Sequence, residues 1–584
     1  MRFCAGLALL LLGLLGLVLP NLGAAPLERA EIYFLDVART MVESGDWLVP
    51  RYQGEPFFDK PPLAYWLMAA AFAGLGPEAG AARLVPALAA LGAVLATVWL
   101  GTLVFDRRTA LAAGVVLSTT LAFLSFARVA MSDMPLTLLT TLAVCLGVRA
   151  YAPSPPRWAV PALGVVLGLG LAVKGPIAVL VPGVALALVA FRERGRPLPF
   201  TRRAAFLGIL AFFVLGLGWY VLVYARLGAA PIAYFFLREN LERFVGEAYD
   251  VGRPAWFYLP AYAAEGLPWS PLLPIALWRL LPRGDGDEPA RRSARLLAGW
   301  VALVLVLLSL SRGKIDYYLL PLYPPLSLLV ARFVVGVPWK RLDRVWIRAW
   351  LVILALGLAA AALRPPSVPG GWLPGTAARA ALGAVVAVTA LLAVAVSVRP
   401  RPAGVMAVLG GGMAAAWLVV AALFLPAFVA AQPNRAIVAD VTRERRYRPD
   451  LRLVACEDPP RARRDVLFHA RLPTEERCDL WGLAASRVPY LLLIGTDEDR
   501  SFQAIPDYRR VAAYPYLPAG VLTLDGLLHL GEPRTIVLGA NFSTTDPVAV
   551  KKKKRAYRKA IQNARRESRQ ATRRRKATQE NGPD

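Results

Sequence analysis

Charged and aromatic side chains crowd one stretch of this chain, Gly45 to Trp66, which reads GDWLVPRYQGEPFFDKPPLAYW and stands between apolar runs of membrane-spanning length. Ionisable groups beside hydrocarbon are costly and persist mainly where they act on something. Lys60 follows Asp59 and precedes Pro61 and Pro62. Proline fixes its own φ and biases the residue before it towards extended geometry, so Lys60 is carried on a stiff backbone, which suits a cation that waits for an anion. The competing reading is a lysine that snorkels to the interface. Upstream, Glu28 and Glu31 share one face if their segment is helical. Further along come Arg128 and Asp133, Lys174-Gly175-Pro176, Arg238-Glu239, Arg243, and Lys314 with Tyr318, each in a polar interval between apolar runs. Taken singly, each has an ordinary structural reading: an interfacial charge for the carboxylates, a local ion pair for Arg128 and Asp133.

The elements that must position these residues follow from composition. The chain has 584 residues, 57% of them hydrophobic and only 18% charged. Apolar runs fall at roughly 4–22, 83–105, 109–127, 135–151, 158–173, 176–191, 204–224, 267–282, 296–312, 317–336, 346–363, 379–398 and 404–428, which predicts about 13 transmembrane helices. The first run has the length of a signal-peptide core or of a retained helix, and a retained helix is expected, because the polar loop after it needs an anchor. The apolar stretch 63–77 follows two prolines and reads as interfacial or re-entrant. Alternate loops carry the basic residues: 106–108, 149–157, 192–203, 283–295, 340–348, and Arg399 with Arg401. The positive-inside rule makes these cytoplasmic. The N-terminus is then inside, and the long loops 25–82 and 225–266 share the outer face with every candidate residue above.

Three regions are expected: a transmembrane domain over 1–430, a small extracytoplasmic α/β domain over 431–548, and a basic, disordered tail over 549–584. The net charge of +27 lies largely in short loops and in this tail. It reads as topology and membrane-surface electrostatics, with no nucleic acid as partner. Cys456 and Cys478 can pair if their region is extracytoplasmic. Both histidines, His469 and His529, lie in that region, so the membrane part has no histidine-based metal site. No GxxxxGK[ST] is present, and no GxGxxG follows a strand, so a nucleotide-driven step has no visible site.

Cations gathered on one face imply an anionic ligand, and the membrane setting implies a lipid phosphate. Lys60, Arg243, Arg238, Lys174 and Lys314 are the candidates to hold it, with Glu28, Asp59, Arg128, Glu239 and Tyr318 as further pocket residues. A sugar on a polyprenyl phosphate fits. Its phosphate leaves readily when cations stabilise the developing charge, and a carboxylate, Glu31 or Asp133, takes the proton of an acceptor hydroxyl. An alternative is a secondary transporter or flippase of an anionic lipid-linked substrate, which needs charges near the midplane and repeat-related broken helices. A receptor or scaffold acting through the C-terminal region is a third reading, and it leaves the first-loop block without a role.

The ordered set Glu31, Ala38-Arg39, Met41, Gly45-Asp46-Trp47, Gly54, Phe58-Asp59-Lys60-Pro61-Pro62 and Tyr65-Trp66 resembles the first outer loop of the aminoarabinose lipid A transferases and their protein O-mannosyltransferase-like relatives of the GT-C fold. Further matches follow in order: Arg83-Leu84-Val85-Pro86, Ser132-Asp133, Lys174-Gly175-Pro176, Arg238-Glu239-Asn240, Arg243-Phe244, Leu267-Pro268-Trp269 and Lys314 with Tyr318. The resemblance covers about residues 25–330. It implies an inverting glycosyltransferase of the cytoplasmic membrane, with a polyprenyl-phosphate sugar donor and an extracytoplasmic glycolipid, polymer or protein hydroxyl as acceptor. It also implies acidic residues at Glu31 and Asp133, and phosphate contacts at Lys60 and Arg243. Two departures stand out. Ala30 precedes Glu31 where relatives often have an Asp-Glu pair, so Glu31, Glu28 and Asp133 all stay open as the base. Arg238 and Asp59 occupy positions where relatives can hold a divalent metal, and since arginine cannot ligate one, a site without metal or other cofactor is expected, or one whose metal sits elsewhere.

Overall fold

The computed structural model describes residues 2–24, 27, 30–152, 154–194, 200–246, 252–282, 288–363, 376–426 and 434–447, together with strands between 452 and 541. Every apolar run read from the sequence coincides with helical structure. Among the described residues, eight helices are long and apolar enough to cross a membrane, from Arg2–Ala24 to Pro402–Phe424, and Leu63–Leu75, Ala159–Lys174 and Ile177–Arg192 are shorter apolar helices. The chain is thus a polytopic helical membrane protein.

Some runs are broken, and for local reasons. The run 109–127 forms two helices, Arg107–Ser118 and Leu121–Phe126. Between them the hydroxyls of Ser118, Thr119 and Thr120 donate back to the carbonyls of Gly114, Val115 and Val116 at 2.7, 2.6 and 2.7 Å, a pattern that competes with helix continuation. The freed N–H of Leu121 donates instead to the Leu267 carbonyl at 3.0 Å. Leu63–Leu75 has 13 residues, about 20 Å at helical rise, too short to span a bilayer.

The first polar loop is ordered. Helix Glu31–Ser44 buries Phe34, Leu35, Val37, Ala38 and Met41. A two-residue turn at Gln53-Gly54, both with positive φ (51° and 86°), joins the strand pair Arg51–Tyr52 and Glu55–Pro56. That turn matches the right-handed twist of a hairpin, and the glycine makes it inexpensive. Its tip is pinned from below, because the Gln53 N–H donates to Asp36 Oδ2 at 2.9 Å.

Helices Ala159–Lys174 and Arg202–Leu227 approach through small residues. A Cβ on Gly164 would lie 1.9 Å from the Gly208 carbonyl oxygen, and one on Gly216 would lie 3.3 Å from the Gly168 Cα. Backbone contact of this kind is how membrane helices gain van der Waals energy where no hydrophobic force separates protein from lipid. Beyond the membrane helices, helix Asn434–Tyr447 precedes a mixed five-stranded sheet, in the order Thr474–Glu475, Arg452–Ala455, Tyr490–Gly495, Arg534–Asn541, Tyr508–Tyr516. The first three strands are parallel to one another and the other pairings are antiparallel. Cys456, Cys478 and the basic tail lie outside the described residues.

The glycine seam predicts that Gly164→Leu lowers stability by about 1–3 kcal/mol or more through overpacking, while Gly183→Leu, with open space around its Cα, leaves it nearly unchanged; thermal unfolding of the purified chain in detergent measures both.

Candidate functional site

Charged residues from four separate segments converge on one cleft of about 910 Å³, counting the open space at its mouth. Asp59 and Lys60 enter from the first loop, Asp133 from the start of helix Asp133–Ala150, Lys174 from the end of helix Ala159–Lys174, and Glu239 with Arg243 from the segment 230–245. Tyr318 contributes a ring, and Leu136, Ile177, Leu180 and Val181 form an apolar wall.

Local sequence explains the placements. Tyr234–Glu242 is a π-helix, a rare form that recurs at functional sites. Its widened turn lets the Asn240 side-chain amide reach the Phe235 carbonyl at 2.7 Å. Glu239 and Arg243 stand four apart and pair at 3.0 Å. The Phe235 ring lies where a side chain on Gly175 would go, 2.5 Å from the Cβ position, and Gly175 has φ +77°. Only glycine satisfies both constraints, so the Lys174-Gly175-Pro176 turn brings Lys174 against the π-helical segment.

Two ion-pair centres result. In the first, Glu239 Oε2 lies 3.6 Å from Lys60 Nζ and 3.0 Å from the Arg243 guanidinium. Lys60 also donates to the Asp59 carbonyl at 2.7 Å. Burial pushes the Lys60 ammonium down to about 8, helped by Arg243 and Lys174 and opposed by Glu239 and Asp59. Burial, reinforced by Glu239, raises the Asp59 carboxyl above its ordinary range, although Asp59 accepts the Tyr234 hydroxyl at 2.9 Å. In the second centre, Lys174 Nζ donates to Asp133 Oδ1 and sits over the rings of Tyr317 and Tyr318, 5.7 and 5.0 Å from their centroids. Such an assembly can receive an anion between cations, with a carboxylate close by and an apolar surface beside it.

Other residues expected at the site are placed elsewhere. Glu31 is fully buried and outside the cleft lining. It accepts from Arg83 Nε and Nη2 at 2.7 and 2.8 Å and from the Ala130 N–H at 2.8 Å. Arg128 does not pair with Asp133. It donates to the Val18 and Asn21 carbonyls at 2.6 and 2.9 Å, closing the end of helix Arg2–Val18. Lys314 is buried and donates to the Ser311 carbonyl at 2.6 Å. Arg238 stands over the Tyr234 ring at 5.6 Å, outside the cleft lining. Glu28 lies outside the described residues. Sequence reasoning missed Tyr234, whose spacing of four from Arg238 was the available signal, and the apolar wall, whose side chains look like ordinary span residues. Among the described residues, no three His, Cys, Asp or Glu side chains converge as a metal-binding group.

Comparison with known proteins gives this geometry a context. The family described as Dolichyl-phosphate-mannose-protein mannosyltransferase matches residues 23–233. An Undecaprenyl phosphate-alpha-4-amino-4-deoxy-L-arabinose arabinosyl transferase of Pseudomonas aeruginosa is 33% identical over 310 residues, 52% of this chain and 55% of the relative. Its counterpart in Aeromonas salmonicida is 30% identical over 342 residues, 57% and 61% of the two chains. The chain therefore spans little more than half the length of these curated relatives. In three dimensions it is similar to ArnT from Cupriavidus metallidurans, solved bound to undecaprenyl phosphate, with a TM-score of 0.69 and 19% identity over 92% of this chain and 97% of the other. The apo form of the same protein gives 0.67 at 20% identity. The fold is shared, and the resemblance read from the sequence to aminoarabinose transferases and mannosyltransferase-like proteins is borne out.

The burial of Glu31 generates a prediction. Glu31→Gln strands Arg83 without its counter-charge and destabilises by about 3–5 kcal/mol, whereas Glu31→Gln with Arg83→Met recovers much of that loss; thermal unfolding of the single and double variants measures the difference.

Proposed function

With that likeness as premise, we propose that the chain is an inverting membrane glycosyltransferase that moves a sugar from a polyprenyl-phosphate carrier to an acceptor hydroxyl outside the cytoplasm. The observation that carries this reading is the cleft in which Lys60 and Arg243 flank one carboxylate oxygen while Asp133 and Lys174 also line it, against an apolar wall. Lys60 and Arg243 take the carrier phosphate and stabilise charge as the bond to the sugar breaks. Leu136, Ile177, Leu180 and Val181 lie against the first isoprene units. Asp133, oriented by Lys174, accepts the proton of the acceptor hydroxyl as its oxygen attacks the anomeric carbon from the side opposite the phosphate. The electron pair of the broken bond leaves with the polyprenyl phosphate. Glu31 serves as a strut and not as the base, since its carboxylate is committed to Arg83 and the Ala130 N–H. The acceptor is lipid A, another envelope glycolipid or polymer, or a protein hydroxyl, and the site works without a metal.

The same reading sets the topology: about 13 crossings of the cytoplasmic membrane, the N-terminus inside, and the C-terminal sheet region outside as an α/β domain. Mass spectrometry of envelope glycolipids and surface proteins, from cells with and without the chain, identifies the acceptor; no changed glycan in either fraction would remove the proposal.

Two further outcomes are expected. In proteoliposomes, Asp133→Asn abolishes transfer while leaving polyprenyl-phosphate binding within about threefold of wild type, and Lys60→Ala weakens that binding by about tenfold or more; equilibrium binding and a transfer assay separate the two. Because the charged form of Lys60 binds the anion and its pKa is about 8, affinity falls as pH rises through that value. A phosphate monoester is already doubly ionised there, so the ligand does not titrate, and Lys60→Arg flattens the profile.

A further inference from the structure

Glu239 has no part in the transfer step just described, yet its carboxylate is among the most buried charges at the cleft. Its side chain is 3% exposed, against 22% for Lys60 and 30% for Arg243. One of its oxygens, Oε2, faces both cations, and a phosphate entering between Lys60 and Arg243 must meet them where that carboxylate now stands. The surrounding charges are Asp59 beside Lys60, Lys174 from the neighbouring helix, and Asp133 paired with Lys174. Two half-buried cations side by side repel, and holding them without an anion between them is costly.

The chemistry of the proposed reaction sharpens the point. The donor is a phosphodiester with one negative charge. Its product, the free carrier, is a monoester with close to two. Lys60 and Arg243 therefore hold the product more tightly than the donor, and a site with these cations alone would be blocked by its own product. We propose that Glu239 is the resident counter-ion of the phosphate site: it holds Lys60 and Arg243 when the cleft is empty, yields them to the incoming phosphate, and recaptures them to release the spent carrier. Its position on the π-helical segment, four residues before Arg243, allows the exchange without moving a transmembrane helix. Glu239 acts through the cations and is a positioning residue. The inference rests on the polyprenyl-phosphate reading of the cleft.

The test uses the full chain in lipid nanodiscs, with a polyprenyl phosphate as the binding probe and a polyprenyl-phosphate sugar that the wild type turns over as donor. Glu239→Gln keeps the shape and removes the charge. It is expected to bind the polyprenyl phosphate at least about fivefold tighter, the equivalent of one released ion pair, and to lower KM and kcat together because release of the carrier becomes slow. Glu239→Asp, which keeps the charge on a shorter arm, is expected between the two. Affinity that is unchanged or weaker in Glu239→Gln, at an unaltered melting temperature, would overturn the inference. If the amide does not fold, Glu239→Asp decides: tighter binding supports the exchange, and unchanged or weaker binding refutes it. A wild-type chain that binds no polyprenyl phosphate at any pH removes the functional reading itself, an outcome distinct from failure of the Glu239 arm alone.

Discussion

The frame around the cleft hangs on one buried ion pair. Arg83 and Glu31 meet through two short hydrogen bonds, and each reaches a further segment: Arg83 the Leu22 carbonyl at 3.1 Å, Glu31 the Ala130 N–H. One pair of side chains thus ties the end of the first helix, the loop helix, the start of helix Ala79–Val104 and the turn three residues before Asp133. Removed from water, the two charges are tolerable only because nearly every donor and acceptor is used. Arg128 works on the same seam, binding the carbonyls at which the first helix stops. Asp133, three residues after Ala130, follows directly from this frame.

Much of the fold was legible because a bilayer demands long apolar segments whose backbone bonds close within each segment. Helices formed where the runs lay, and breaks fell where Ser118, Thr119 and Thr120 rebond the backbone or where prolines interrupt it. The convergence of Lys60, Asp133, Lys174, Glu239 and Arg243 was also legible, since each sat at a polar interval of one predicted face. The different surroundings of the carboxylates were not. Glu31 and Asp133 look alike in sequence, each opening a helix, and only the partner separates them: Arg83 is 52 positions from Glu31 and lies within a helix that reads as a membrane span. Arg128 likewise satisfies carbonyls 110 and 107 positions away, which no local pattern reveals. Nor does the sequence announce the π-helix, in whose widened turn the Asn240 amide reaches the Phe235 carbonyl.

Electrostatically the cleft is a balance. Three cations and three carboxylates line it, so its empty form carries little net charge despite the +27 of the whole chain. Near-neutrality keeps a partly buried polar site from being prohibitively costly beside lipid. An anion entering the cleft meets cations already paired with internal acids rather than a surplus of positive side chains.

The two sides of the cleft differ in mechanical character. Lys174 ends a helix whose backbone touches that of its neighbour along glycines. Arg243 and Glu239 stand on a short, wide-turned stretch that the Phe235 ring clips onto Gly175. One side of the cleft is thus set by backbone contact between helices and the other by a single ring seated on a glycine, so a small molecule that competes for the Phe235 seat would address the stretch from Tyr234 to Arg243 without touching the bundle behind it.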